Sequence, residues 1–171
     1  MDRRTLFWKL AYLAIAAGAF LIDQTTKSYA TRYLRFGEKS VISGFLTFAY
    51  AKNPGVAFSM FDQQGDSGRW GLSIVAFVAA VLVMYFFWRT PRSDDRILGA
   101  LALLLAGISG NLCDRLRLGF VIDWIDVQFG GWHYPTFNIA DCCICIGAGL
   151  LLLDIVFSKK KKRADDQASK T

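Results

Sequence analysis

The chain has 171 residues, of which 54% are hydrophobic, and its formal net charge at pH 7 is +6. A chain of this length fits one compact domain. A net positive charge can indicate a protein that binds nucleic acid. Here, however, the basic residues lie in the flanks and loops between long apolar stretches. The composition therefore argues against a nucleic-acid partner and indicates a protein embedded in a membrane.

Four stretches are long and nearly free of charge, at residues 6–22, 70–88, 97–112 and 139–157. A hydrocarbon core of about 30 Å requires about 20 helical residues. The third stretch reaches that length only if the helix continues past Cys113. The sequence predicts a polytopic α-helical membrane protein with four transmembrane helices, the first of which is an uncleaved signal anchor.

The basic residues are divided unevenly between the two sides of these helices. More than half of the 20 Lys and Arg residues lie in the N-terminal flank, the middle loop and the tail. By the positive-inside rule we expect both termini in the cytoplasm. Residues 1–158 would form a single membrane-embedded domain, and residues 159–171 a basic cytoplasmic tail. The loops at residues 24–69 and 114–137 would face the other side.

Both of these outer loops contain strand-forming segments. Residues 45–50 and 120–127 are rich in β-branched and aromatic residues, and turn signals occur at residues 53–55 and 130–131. We expect them to form a small β-layer, or cradle, on the outer ends of the helices. The apolar residues 58–61 are expected at the membrane interface.

Few residues offer catalytic chemistry. His133 is the only histidine, so a Ser–His–Asp or Cys–His arrangement would depend on it, and we expect it to be structural. The zinc pattern His-Glu-x-x-His is absent, and the four cysteines are expected to be small buried hydrophobes. The sequence predicts no metal and no cofactor. Carboxylates remain, and two close carboxyls that share a proton can activate water near neutral pH.

Acidic residues gather at the outer ends of the predicted helices, namely Asp23, Asp114, Asp123 and Asp141. Ionisable groups at a membrane boundary are costly, so each is a candidate for function. Asn138 is a candidate N-cap for the last helix, and the helix dipole favours an ionised Asp141 three residues later. The residues alone leave open which of these carboxyls form a pair.

Asp123 lies within an apolar strand pattern. A period of two would place it on one face with Val121, Ile125 and Val127. Desolvation by such neighbours should raise the pKa of Asp123. Asp126 would fall on the opposite face, where we expect it to be solvated.

Two pairs of opposite charge lie at the same membrane face. Asp23 and Lys27 are four residues apart in the first helix, and Asp114 directly precedes Arg115 at the end of the third. We expect an ion pair from each. A transporter or a non-enzymatic lipid-binding factor could also carry such acids, although transporters place them near the membrane midplane.

Five motifs occur in order along almost the whole chain. They are DQTTK at 23–27, NPGVAFS at 53–59, GNLCDR at 110–115, GFVIDW at 119–124 and FNIAD at 137–141. Together they resemble the lipoprotein signal peptidases, the type II signal peptidases of bacteria. The resemblance implies four transmembrane helices with an extracytoplasmic β-cradle and a nearby helix over the active site.

The resemblance also implies an activity. It is that of an aspartic endopeptidase of the cytoplasmic (inner) membrane, which cuts diacylglyceryl-modified prolipoproteins before the lipidated cysteine and is inhibited by the cyclic peptide globomycin. The two catalytic aspartates of the family match Asp123 and Asp141, and its polar surround matches Asn53, Asn111, Asp114, Arg115 and Asn138. Asp23 and Lys27 join this set as supporting residues. We expect a monomer in contact with membrane lipids.

Overall fold

The computed structural model describes residues 2–55 and 66–168, without the side chains of residues 66, 67 and 158–168. The apolar residues 58–61, which we expected at the membrane interface, lie outside the described residues.

Within this part of the chain, four helices are long and apolar enough to cross a membrane, as predicted. They are α1 (Arg3–Tyr33), α2 (Asp66–Arg89), α3 (Asp95–Leu118) and α4 (Ile139–Ala168). Each helix is longer than its apolar stretch because helical hydrogen bonding continues into the polar flanks. Large apolar side chains are exposed along the helices, Phe77 and Leu152 among them, which is the surface expected of a helix in contact with lipid.

A four-stranded antiparallel sheet lies at one end of the helices, hereafter the sheet end. Its strands are β1 (Lys39–Ile42), β2 (Leu46–Asn53), β3 (Val121–Phe129) and β4 (Trp132–His133), paired in that order. Strands β2 and β3 confirm the two predicted segments, whereas β1 and β4 were not predicted. Gly130 and Gly131 have φ angles of 57° and 89°, so the turn between β3 and β4 uses a conformation that favours glycine.

Small residues bring α1, α3 and α4 close together. Ala16 of α1 packs against Ala102 and Ala106 of α3. An added Cβ at Gly107 would collide with the carbonyl oxygen of Ala140. Small residues allow membrane helices to approach closely. The start of α4 is therefore held against α3 at the sheet end.

The sheet rests on the end of α1. Ala30 and Leu34 form a buried cluster with Ile122 of β3. The rings of Phe48 and Trp124 pack edge to face, with centroids 5.0 Å apart. Because successive residues of a strand point to opposite faces, Asp123 lies on the other face of β3 from this cluster.

The prediction that Asp126 is solvated is wrong. Asp126 is only 6% exposed, and it accepts a hydrogen bond from Gln128 at 3.0 Å and contacts His133 Nδ1 at 3.0 Å. The physical reason is that the side chains of Gln128 and of His133, which β4 carries, lie against this carboxyl. His133 therefore contributes to the packing of the sheet edge, and its side chain is 57% exposed.

The cysteines follow the prediction only in part. Cys143 is buried, whereas Cys145 is exposed. Residues two apart on a helix point in different directions, and Cys145 faces away from the neighbouring helices. All four cysteines are free thiols.

Candidate active site

Helix α4 begins with a reciprocal cap. Asn138 Oδ1 accepts the backbone N–H of Asp141 at 2.9 Å, and Asp141 Oδ2 accepts the backbone N–H of Asn138 at 3.1 Å. This arrangement is a capping box, and it confirms Asn138 as the N-cap. The half-buried carboxyl of Asp141 is thereby fixed at the N-terminus of α4.

The second carboxyl, Asp123, is almost completely buried, with 1% of the residue exposed. It accepts hydrogen bonds from Asn138 Nδ2 at 2.6 Å and from Asn53 Nδ2 at 2.9 Å. The pKa of Asp123 is raised to about 6, chiefly by burial and also by the charge of Asp141, while the hydrogen bonds from Asn53 and Asn138 and the charge of Lys27 act in the opposite direction. The predicted direction of the shift, and its cause in desolvation, are confirmed.

Asn111 connects Asp141 to a buried cation. Its Nδ2 donates to Asp141 Oδ1 at 2.8 Å, while its Oδ1 accepts from Lys27 Nζ at 2.9 Å and from Asn138 Nδ2 at 3.3 Å. These contacts fix which way the amide of Asn111 points. Its N–H group must face the carboxylate of Asp141.

Lys27 is 1% exposed and pairs with two carboxylates, Asp23 at 2.9 Å and Asp114 at 3.0 Å. The predicted pair of Asp23 and Lys27 is confirmed. The predicted pair of Asp114 and Arg115 is wrong. Consecutive helical residues point about 100° apart, so Asp114 faces α1 and Lys27 while Arg115 faces elsewhere.

Each of these two supporting carboxylates also holds backbone next to a candidate catalytic residue. Asp23 Oδ1 accepts the N–H of Ala140 at 2.9 Å, and Asp114 Oδ2 accepts the N–H of Ile122 at 3.2 Å. Ala140 and Ile122 directly precede the two candidate carboxyls in the chain. The ion-paired cluster around Lys27 therefore positions both of them.

Gln24 and Gly110 belong to this cluster, and sequence reasoning assigned neither a role. Gln24 Nε2 lies 3.2 Å from Asp23 Oδ2, 3.1 Å from Asp114 Oδ1 and 3.2 Å from the carbonyl oxygen of Gly110. An added Cβ at Gly110 would lie 2.6 Å from Asp23 Oδ2. The sequence did contain a signal for both residues, because each lies in a motif directly beside an acidic or amide residue of the site.

Arg115 supplies a second cation at the site. It is half-buried, its Nη1 lies 3.4 Å from the carbonyl oxygen of Asn111, and Asp141 and Asp123 are among its charged neighbours. Among the residues that the structure describes, no partner is found for its buried Nε. Arg115 therefore keeps donor capacity for a bound molecule.

A cavity of about 240 Å³ opens beside Asp123. Its walls are Lys52, Asn53, Pro54, Asp123, Pro135 and Thr136. Strand β2 and the segment before α4 thus leave a path from the surface to the buried carboxyl.

The arrangement can perform acid–base chemistry on a peptide bond. One carboxyl lies in desolvated surroundings, the other lies at a helix N-terminus, and one asparagine contacts both residues. Unlike environments separate the proton affinities of a carboxyl pair, which suits one member to act as acid and the other as base. The fold and the site together define the class of membrane-embedded aspartic peptidases.

Comparison with known proteins places the chain within that class. The signal peptidase (SPase) II family matches residues 15–157. The lipoprotein signal peptidase of Teredinibacter turnerae is 37% identical over 97% of this chain and 99% of its own length. That of Janthinobacterium sp. is 40% identical, over 85% and 87%. The chain belongs to the signal peptidase II family, a family of aspartic peptidases.

Solved structures agree with this assignment. One bacterial membrane enzyme has a TM-score of 0.77 and 29% identity, and the match covers 89% of this chain and 91% of that enzyme. A second has a TM-score of 0.76 and 28% identity, over 85% and 92%. The predicted family and the four-helix fold are confirmed.

Proposed function

We propose that the protein removes signal peptides from diacylglyceryl-modified prolipoproteins, cutting before the lipidated cysteine, with Asp123 and Asp141 as the catalytic pair. The observation that carries this proposal is the shared contact through Asn138, which hydrogen-bonds Asp123 and caps the helix at Asp141. Family membership supports the reaction, and the geometry supports the choice of residues.

In this scheme Asp123 acts in its protonated form and Asp141 acts in its ionised form. Asp141 takes a proton from a water molecule, and the water oxygen attacks the scissile carbonyl carbon. The proton on Asp123 stabilises the developing oxyanion. The proton held by Asp141 then passes to the leaving nitrogen as the C–N bond breaks, which restores the starting states.

The remaining site residues position this pair and the substrate. Asn53 donates to Asp123 and Asn111 donates to Asp141. Arg115 and these amides orient the substrate backbone with their unused hydrogen-bonding capacity. The cluster formed by Asp23, Lys27 and Asp114 holds the backbone next to both aspartates of the pair.

The bilayer delivers the substrate. The exposed apolar faces of the helices accommodate its acyl chains, and the peptide bond reaches the carboxyls at the sheet end. Both termini lie in the cytoplasm, as the distribution of basic residues favours. The active site and the β-cradle then face the extracytoplasmic side of the bacterial inner membrane. The enzyme acts as a monomer whose single domain spans residues 1–158, followed by the basic tail at 159–171, and globomycin-type cyclic peptides inhibit it.

A substitution set tests the proposal. Asp123→Asn and Asp141→Asn should each lower the cleavage of a purified diacylated precursor by about a hundredfold to ten-thousandfold, the usual contribution of a general acid or base. Asp126→Asn is the matched control, because Asp126 is a buried aspartate of the same strand. It should retain most of the activity.

The outcomes separate this proposal from its rivals. Near-normal turnover by either Asp123→Asn or Asp141→Asn would show that the pair is wrongly assigned. Proton-coupled flux in vesicles without cleavage would favour a transporter. Precursor binding that survives both substitutions, with no cleavage by the unmodified protein, would favour a lipoprotein-binding factor. Globomycin should also inhibit cleavage by the unmodified protein.

A further inference from the structure

A second and larger cavity, of about 420 Å³, opens at the sheet end between α1, α3 and strand β2. It differs from the cavity beside Asp123, with which it shares only Lys52 among its lining residues. The charged side chains that line it are Lys27, Arg32, Arg35, Lys52, Asp114 and Arg117. The catalytic scheme above uses neither this cavity nor the basic residues at its rim.

The charge around this cavity is not balanced within the described residues. Lys27 is already paired with carboxylates. Arg32, Arg35, Lys52 and Arg117 are exposed, and no ion pair joins any of them to a carboxylate in the part of the chain that the structure describes. Like charges held around one cavity repel each other. An anion bound there would relieve that repulsion.

The basic residues converge from three separate elements. Arg32 lies in the last turn of α1 and Arg35 directly follows the end of that helix, while Arg117 comes from α3 and Lys52 from β2. The ammonium group of Lys52 lies 5.0 Å from the ring centre of Phe120, which also lines the cavity. Guanidinium groups bind phosphate through two parallel hydrogen bonds. The cavity therefore has the donors that a phosphate group requires.

The position of the cavity indicates a lipid as the source of that phosphate. Tyr29 and Tyr33 at the end of α1 and Phe36 just after it are exposed, at 52%, 59% and 95% of their surface. Exposed aromatic residues at the end of a membrane helix mark the level of the lipid headgroups. A cavity at this level, lined by arginine, meets phospholipid headgroups before any phosphate from solution.

We propose that this cavity binds the phosphate of an anionic phospholipid headgroup. The guanidinium groups of Arg32, Arg35 and Arg117 hold the phosphate oxygens, and Lys52 lies at the rim. The floor of the cavity includes Gln24, Lys27 and Asp114, which also belong to the cluster that positions the candidate catalytic residues. A lipid bound in the cavity would thus contact the residues that position the candidate catalytic pair without entering the active site.

The test measures lipid binding by the purified full-length protein in detergent. Phosphatidylglycerol and phosphatidylcholine with identical acyl chains are added separately, and native mass spectrometry counts the lipids retained. We expect one phosphatidylglycerol molecule to be retained with at least about a tenfold preference over phosphatidylcholine. Arg32→Gln/Arg35→Gln should remove this preference, and Arg117→Gln should weaken it from a different helix.

Arg3→Gln/Arg4→Gln is the matched control, because it removes the same charge from exposed positions at the opposite end of α1. It should leave the preference unchanged. Equal losses in the control and the cavity variants would overturn the proposal, as would a preference that survives all the cavity variants. If inorganic phosphate displaced the lipid at equal concentration, the proposal that a lipid supplies the bound phosphate would be overturned. If Arg32→Gln/Arg35→Gln fails to fold, as judged by circular dichroism, Arg117→Gln decides the outcome.

Discussion

The side-chain amide of Asn138 donates to Asp123 at 2.6 Å, although Asp123 lies in β3 and Asn138 begins α4. The oxygen of the same amide accepts the N–H of Asp141 at 2.9 Å. One side chain therefore sets the geometry of a buried carboxyl and the start of a membrane helix at once. Its two roles can be separated experimentally.

Asn138→Ala should impair both roles of this side chain. Loss of an N-cap costs about 1 kcal/mol of stability, and loss of the donor leaves Asp123 with one fewer hydrogen bond. Asn138→Ser should recover most of the cap, because serine is a good N-cap, but its hydroxyl is too short to replace the donor to Asp123. We therefore expect Asn138→Ser to be more stable than Asn138→Ala and similarly impaired in turnover, as measured by thermal unfolding in detergent and by precursor cleavage. Full activity of Asn138→Ser would show that cleavage does not require the hydrogen bond from Asn138 to Asp123.

The pH dependence of cleavage should report the proton on Asp123. Because the pKa of Asp123 is raised to about 6, kcat/KM should decline as the pH rises through that value and the protonated partner is lost. The hydrogen bond from Asn53 lowers the pKa of Asp123, so Asn53→Ala should move the decline to higher pH. A decline that stays at the same pH in Asn53→Ala would contradict this assignment.

The same proton should appear in the stability of the protein. An unfolded aspartate has a pKa of about 4, so the folded state binds this proton more tightly. The contribution to the free energy of unfolding is fully present below about pH 4 and is lost as the pH rises through about 6. Asp123→Asn should flatten this part of the profile of melting temperature against pH. An unchanged slope in that variant would assign the titration to another group.

Lys27→Met should be strongly destabilising. It would leave Asp23 and Asp114 as buried carboxylates without their cation, and breaking a buried ion pair costs about 3–5 kcal/mol. Lys9→Met is the matched control, because Lys9 is a lysine of the same helix with 3% exposure whose ammonium contacts the carbonyl oxygens of Phe87 and Trp88. It should cost less, since no charge is left unpaired. Equal losses in thermal unfolding would refute the special role of Lys27.

Gly107→Ala should separate α3 from α4. The added Cβ would collide with backbone of α4 at Ala140, next to the candidate catalytic residue, and overpacking costs about 1–3 kcal/mol. Gly18→Ala, in α1, is the control, because nothing lies within 4 Å of its added Cβ. We expect Gly107→Ala to lower both melting temperature and turnover, and Gly18→Ala to be neutral or stabilising. Tolerance of Gly107→Ala would indicate that the helices can adjust at this contact.

Local patterns predicted the parts of the site that depend on residues near each other in the chain. The spacing of Asp23 and Lys27 gave their ion pair, and the spacing of Asn138 and Asp141 gave the cap. The apolar neighbours of Asp123 gave the direction of its pKa shift. In each case the relevant partners lie within one or two turns of helix or in the same strand.

Contacts between distant segments were beyond the reach of such patterns. The link from Lys27 to Asp114 joins α1 to α3, and nothing in either segment specifies it. The burial of Asp126 depends on β4, a strand of only two residues that is too short to show a period. The error for Asp114 arose because a neighbour in the sequence was taken for the neighbour in space, and the error for Asp126 arose because β4, which carries His133, was not predicted.

The hydrogen bond from the N–H of Ala140 to Asp23 joins the last membrane helix to the first, across 117 positions of the chain. A ribosome delivers α1 to the membrane long before α4. Until α4 has been inserted, Asp23 lacks this partner and the carboxyl of Asp141 is not yet in the membrane. With Asp141 in the proposed catalytic pair, an unfinished chain cannot cut anything, and activity begins only when biosynthesis of the membrane domain is complete.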